Sequence, residues 1–169
     1  MGFETVHTMT HWYDGPRRGV AMVDGRPHLY ESCWNDIDSN EETLYLLTPI
    51  SEELLANAIE DWEIWQRWSH AHKLGKASIE THPALPTDHA RHSHLAALLK
   101  KQLIIDEHCK LVAIAKFRYN ADAEPNMEAE WAIVDYDQSK DKRDKYRWGI
   151  EDEDDPNNPM DRSGGSAAS

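Results

Sequence analysis

The chain has 169 residues, 40% of them apolar and 29% charged, with a mean hydropathy of −0.76. These values fit one soluble domain with a sizeable core and exclude a fibre or a membrane-embedded protein. Eighteen Lys and Arg against 31 Asp and Glu leave a net charge of −13, the wrong sign for a protein whose main task is gripping nucleic acid phosphates.

Such a balance fits a partner with a basic surface, or none. Ten histidines make the net charge strongly dependent on pH between roughly pH 7 and pH 5. Cys33 and Cys109 are the only cysteines and lack a Cys-x-x-Cys spacing, so neither a zinc knuckle nor a disulfide framework is written here. The first ten residues lack the basic flank and apolar run of a secretory signal. No apolar run approaches the roughly 20 residues that span a bilayer. Together these features point to the cytoplasm, with no membrane partner and no cofactor.

The first clear element is a hairpin. Residues 19–23 (Gly-Val-Ala-Met-Val) and 26–34 flank Asp24-Gly25, a two-residue turn that fixes the register. Val23 then faces Arg26, Met22 faces Pro27, Val20 faces Leu29 and Arg18 faces Glu31. Pro27 falls where its missing N–H points away from the hairpin partner, so that stretch of the second strand lacks an outer neighbour. Residues 42–48, closed by Pro49, read as a third short strand.

The period then changes. Leu54, Leu55, Ala58, Ile59, Trp62 and Trp65 recur at three and four. Ser51 is the N-cap, Glu52 and Glu53 sit at the positive end, and His70, His72 and Lys73 precede Gly75. The helix runs about six turns. Ile64 and Trp68 widen its apolar surface toward a second neighbour, Trp68 being the more exposed end of that surface, and Glu63 and Arg67 have ion-pair spacing. Thr81-His82-Pro83-Ala84-Leu85-Pro86 is a stiff connector, and a second helix opens at Pro86 or Thr87 and ends near Leu103. Its polar side carries Arg91, His92, Lys100 and Lys101.

Residues 111–119 read as a central strand and residues 127–136 as its partner. Ala129, Trp131 and Ile133 share one face of the latter, while Glu128 and Glu130 are placed to meet Lys116 and Arg118. From about residue 150 the chain reads as a disordered tail, acidic at 151–155 and Ser/Gly-rich at 163–169. The expected domain therefore covers residues 1–149 and the tail residues 150–169. Its class is α+β: an antiparallel sheet, or more specifically a small SH3-like five-stranded barrel, with a two-helix insertion between the third and fourth strands.

Candidate sites are few. Trp12-Tyr13-Asp14-Gly15-Pro16 concentrates two aromatic rings and a carboxylate at a turn, fit for recognition, although Asp14 capping the turn and Trp12 sealing one end of the core is the better explanation of these residues alone, since Gly and Pro beside Asp already account for a turn. Trp62, Trp65 and Trp68 have the spacing of a stacking platform and also of core packing; the neighbouring Glu60, Asp61 and Glu63 repel phosphate. His70 and His72 point to different sides of a helix, whereas His89 and His92 share a face that His82 approaches from the connector. These three are weak metal candidates, with no paired Cys or Glu-x-x-His pattern beside them. Neither a Gly-x-Ser-x-Gly elbow nor a phosphate-cradling glycine loop occurs.

The strings Trp12-Tyr13-Asp14-Gly15-Pro16, Asp24-Gly25-Arg26-Pro27-His28, Glu60-Asp61-Trp62-Glu63-Ile64-Trp65 and Thr81-His82-Pro83-Ala84-Leu85-Pro86 resemble those of a group of short, soluble bacterial proteins with no assigned activity. The resemblance covers residues 10–91, implies a bacterial or phage setting and carries over no catalytic residue. On the residues themselves, the expected function is a non-enzymatic acidic module that binds another protein through Trp12, Tyr13, Asp14 and Trp68. An inhibitor or immunity-like protein facing a basic partner is its concrete form. The alternative is a small hydrolase or metal-dependent enzyme built around Asp14, His82, His89 and His92.

Overall fold

The computed structural model describes residues 2–33 and 43–134. Among the described residues, seven antiparallel strands form one sheet: β1 (Glu4–Thr5), β2 (His11–Trp12), β3 (Pro16–Val23), β4 (Arg26–Cys33), β5 (Leu44–Pro49), β6 (Leu111–Tyr119) and β7 (Met127–Ile133). Helices α1 (Glu52–Lys73) and α2 (His89–Gln102) are inserted between β5 and β6 and joined by a connector with a short 3₁₀ turn at Ile79–Thr81. The strand order is β1-β7-β6-β5-β4-β3-β2, so the fold is α+β with an open sheet. The five-stranded SH3-like barrel is corrected by this order, because no strand ladder joins its two ends.

Both ends of the sheet belong to one segment, residues 4–12. Its first part pairs with β7, where the Val6 amide donates to the Met127 carbonyl at 2.9 Å. It then crosses to β3. His7 and Thr8 both donate to the Val20 carbonyl, at 2.9 and 3.2 Å, and Thr10 donates to the Arg18 carbonyl at 2.8 Å. This strap is the main element that sequence patterning does not reveal.

The β3–β4 hairpin has the expected register, with Arg18 opposite Glu31, Val20 opposite Leu29, Met22 opposite Pro27 and Val23 opposite Arg26. Asp24 and Gly25 both have positive φ (51° and 69°), the conformation a two-residue turn needs to match the twist of its strands. The Glu4 carboxylate accepts both turn amides, at 2.8 Å from Asp24 and 2.7 Å from Gly25, and so ties the start of the strap to the hairpin tip. The β4–β5 ladder begins at His28, one residue past Pro27, so the missing N–H falls outside it.

Alternation along the strands separates two clusters. On the helix-covered face, Val20, Leu29, Cys33, Leu46 and Val112 pack against Leu54, Leu55 and Ala58 of α1 and Leu103 and Ile105 beyond α2. On the other face, Tyr30, Tyr45, Phe117 and Trp131 meet edge to face or tilted, with centroids 5.6–6.1 Å apart, beside Val6 of the strap. Such edge-on contacts suit the ring quadrupoles better than a face-to-face sandwich. Ile133, expected beside Ala129 and Trp131 in the interior, is exposed instead.

Helix α1 starts as its sequence dictates. Ser51 Oγ accepts the Leu54 amide at 3.1 Å, and Glu52 and Glu53 occupy the first turn. Its second half leaves the main core and packs with α2 and the connector through Ile64, Ala84 and Leu95. Polar side-chain contacts join α1 to the start of α2: Glu60 with Arg91 (2.7 Å), Asp61 with His92 (2.7 Å) and Arg67 with Asp88 (3.0 Å). Arg67 thus reaches across to α2 rather than only along its own helix, and His92 faces α1 rather than lying on the outer polar side. Across β6 and β7, Lys116 is opposite Glu130 and Arg118 is opposite Glu128, the latter pair closing at 2.6 Å. No helix among the described residues is long and apolar enough to cross a membrane. The tail expected from residue 150 lies outside the described residues, as do Trp34, Glu42 and Tyr136 at the ends of expected strands.

Candidate functional site

Edge strand β2 runs directly into a tight turn. Asp14 and Gly15 adopt positive φ (50° and 118°), and the Tyr13 amide donates to the Gly15 carbonyl at 3.0 Å. Glycine takes such a conformation without strain, and Asp tolerates it better than most residues. Arg17 Nε donates to the Tyr13 carbonyl at 2.6 Å and fixes the turn from below. The ring of Tyr45, buried in the aromatic cluster, anchors the far side by donating its hydroxyl to the Pro16 carbonyl at 2.9 Å.

This frame holds Trp12 and Tyr13 outward, 60% and 65% exposed. They are adjacent residues, and Asp14 beside them is also exposed. Trp12, Tyr13 and Asp14 are therefore consecutive exposed residues entering one turn, and Trp12 does not seal the core. Large aromatic side chains held out on a braced turn bury much area at small entropic cost when a partner covers them.

Trp68 is the correction. It is only 5% exposed, donates Nε1–H to Thr81 Oγ1 at 3.0 Å, stacks on His72 (4.9 Å) and meets the edge of His82 (4.5 Å). Its position in the helical repeat places it opposite the connector, where a buried indole needs, and finds, an acceptor. It fastens the connector to α1 and is not available to a partner. Trp62 and Trp65 stack on each other at 4.8 Å and are each partly exposed; they continue the stripe of Leu55 and Ala58 along α1.

The histidines do not converge. His82 lies against Trp68, His92 Nδ1 is paired with Asp61 Oδ1, and His89 is exposed at the start of α2. Among the described residues no group of three or more His, Cys, Asp or Glu has the arrangement to hold a metal ion.

A second row of charged groups borders the turn. His11, Arg18 and Glu31 are successive partners across β2, β3 and β4. Arg18 Nε pairs with Glu31 Oε2 at 3.2 Å, both side chains being nearly buried, and Arg18 Nη2 donates to the Leu103 carbonyl at 2.6 Å. That carbonyl caps α2, where the helix dipole favours a cation. Partial desolvation and, secondarily, the Arg18 charge hold the His11 imidazole below its ordinary value, with Glu31 opposing. The Arg18–Glu31 register follows from the hairpin; His11 has no signal in the sequence beyond its place before Trp12. Comparisons with protein-family models, curated proteins and solved structures find no match.

Proposed function

We propose that the protein works by binding another protein through the 12–16 turn at the β2 edge of its sheet. The observation that carries this reading is the pair Trp12 and Tyr13, held 60% and 65% exposed on a turn braced by Arg17 and Tyr45. Trp and Tyr are the side chains that most often supply the large increments of binding energy at protein interfaces. Asp14 beside them and the net charge of −13 favour a partner with a basic surface, whose approach the field of the acidic chain accelerates. An inhibitor or immunity-like role toward such a partner is the concrete form of the reading. The resemblance of residues 10–91 to short bacterial proteins supports a bacterial setting. The two cysteines of the sequence, 76 positions apart with no Cys-x-x-Cys spacing, accord with a reducing cytoplasm.

The test is affinity capture from host lysate with the full chain and with Trp12→Ala/Tyr13→Ala, both verified as folded. Retention of one defined basic protein by the wild type and its loss with the double variant supports the reading. Equal retention by both, or retention of nothing at moderate salt, removes it.

A further inference from the structure

We propose that Asp14 is a site of spontaneous isoaspartate formation, and that Glu4 protects the other Asp-Gly pair of the chain, Asp24-Gly25, from the same reaction. An aspartate followed by glycine is prone to this rearrangement, because its carboxyl carbon can close a five-membered ring on the next amide nitrogen and glycine has no Cβ to hinder the approach. The sequence holds two such pairs, Asp14-Gly15 and Asp24-Gly25, and no Asn-Gly. Both aspartates are exposed in tight turns, with φ of 50° and 51°. A Cβ added at either glycine meets nothing within 4 Å, so space limits neither pair. What separates them is the bonding of the amide that has to attack.

At the hairpin tip the Gly25 amide donates to Glu4 Oε1 at 2.7 Å and the Asp24 amide to Glu4 Oε2 at 2.8 Å. The attacking nitrogen is thus pinned on a carboxylate, whose negative charge also opposes loss of the amide proton. In the 12–16 turn the bonds fall on Tyr13 instead: its amide donates to the Gly15 carbonyl at 3.0 Å, and its carbonyl accepts Arg17 Nε at 2.6 Å. The Gly15 amide donates to no group among the described residues, and the Asp14 carboxylate makes no hydrogen bond or ion pair there. Arg17 brings a positive charge to this turn, which favours the deprotonated amide.

The reaction needs no partner but water. The Gly15 nitrogen gives up its proton and bonds to Asp14 Cγ, and the carboxyl oxygen leaves as water, closing a succinimide. Water then adds to one of the two ring carbonyls and breaks its bond to nitrogen. Opening at Cγ restores Asp14, while opening at the main-chain carbonyl leaves the backbone running through Cβ and Cγ with a free α-carboxylate. The product has one more backbone atom between Tyr13 and Gly15, so the Tyr13 amide loses its set distance to the Gly15 carbonyl. The chemistry stands on the turn alone and does not depend on what the turn binds.

The experiment is ageing of the folded full chain in neutral buffer over weeks, followed by proteolysis and peptide mapping. An isoaspartyl peptide has the mass of its parent and a different retention, and it takes a labelled methyl group from an isoaspartate carboxyl methyltransferase. The expected result is isoaspartate at position 14 accumulating about tenfold faster than at position 24, the factor that a hydrogen bond to a carboxylate supplies. Glu4→Ala raises the rate at position 24 toward that at position 14, and Asp14→Glu, whose longer side chain cannot close the five-membered ring, removes the signal at 14. Equal rates at the two positions of the folded wild type, or no isoaspartate at position 14, overturns the proposal. Ageing the wild type in urea gives a reference that needs no variant to fold. There the two rates converge, and a difference that persists in the unfolded chain overturns the role of Glu4.

Discussion

The Tyr30 hydroxyl donates to the Thr8 carbonyl at 2.9 Å over Gly19, and a Cβ at Gly19 would lie 1.9 Å from that same carbonyl oxygen and 2.7 Å from the hydroxyl. Close approach of two backbones is what glycine allows here. A side chain of any size pushes the strap away from β3. Gly19→Ala is predicted to cost about 3 kcal/mol, at the upper end for overpacking, because the obstructing atom is backbone and cannot rotate away. Tyr30→Phe, which keeps the ring in the aromatic cluster, is predicted to cost about 1 kcal/mol for the lost buried hydrogen bond. Urea denaturation at neutral pH ranks the two, and a Gly19→Ala midpoint equal to the wild type contradicts the strap geometry.

The pair Arg18 and Glu31 is nearly buried between the sheet and the end of α2. Removing one partner leaves the other charge uncompensated, and Glu31→Ala is predicted to cost about 3 kcal/mol. The Glu60–Arg91 pair is exposed on both sides, and its removal by Glu60→Ala should be far milder despite the shorter 2.7 Å contact. Replacing both members by apolar residues, Arg18→Met with Glu31→Leu, is predicted to restore much of the lost stability. Thermal denaturation of the three variants checks the order.

Trp68 fastens the connector to α1 rather than reaching outward. Trp68→Ala is predicted to destabilise by about 3–5 kcal/mol, the usual cost of emptying a buried indole site. Trp68→Phe loses only the hydrogen bond to Thr81 Oγ1 and part of the stacking on His72, and its effect is smaller. Capture of a partner by Trp68→Phe should match the wild type, whereas loss of capture in that folded variant contradicts the placement of the interaction at the 12–16 turn.

Stability should fall on mild acidification. The ordinary value for His7 is 6.5, and burial lowers it in the folded chain against a smaller opposing pull from Glu52. Between 6.5 and that lower value the unfolded chain binds more protons than the folded one, so acid favours unfolding in this window and stability returns as pH rises above 6.5. His11 adds in the same sense. Urea midpoints measured above and below the window should differ in the wild type and differ less in His7→Gln. Equal differences in both chains contradict the assignment.

The legible part of this fold is the local part. Asp24-Gly25 sets a turn type and hence the whole register down to Arg18 and Glu31, and Ser51 with Glu52 and Glu53 sets the start of α1. Residues 4–12 carry no such signal. Their two short strands are defined by partners more than a hundred residues away in β7 and by a glycine in β3, not by any period of their own. They also explain why an open sheet replaces the expected barrel: the strap touches both edges without forming a ladder that joins them. At the candidate site, Trp12, Tyr13 and Asp14 are legible because Gly15 and Pro16 mark a turn. Trp68 misleads because helical spacing tells which side chains share a face, while its burial depends on where a proline-containing connector comes to rest.

The most direct test of the account is photo-crosslinking from two exposed aromatic positions of the full chain in its host: position 12 on the turn, and position 119, where Tyr119 is 66% exposed at the start of the β6–β7 hairpin loop. The account predicts a single defined adduct with a basic protein from position 12 and none from position 119. The same adduct from position 119 with nothing at position 12 contradicts it and moves the interaction to the opposite hairpin.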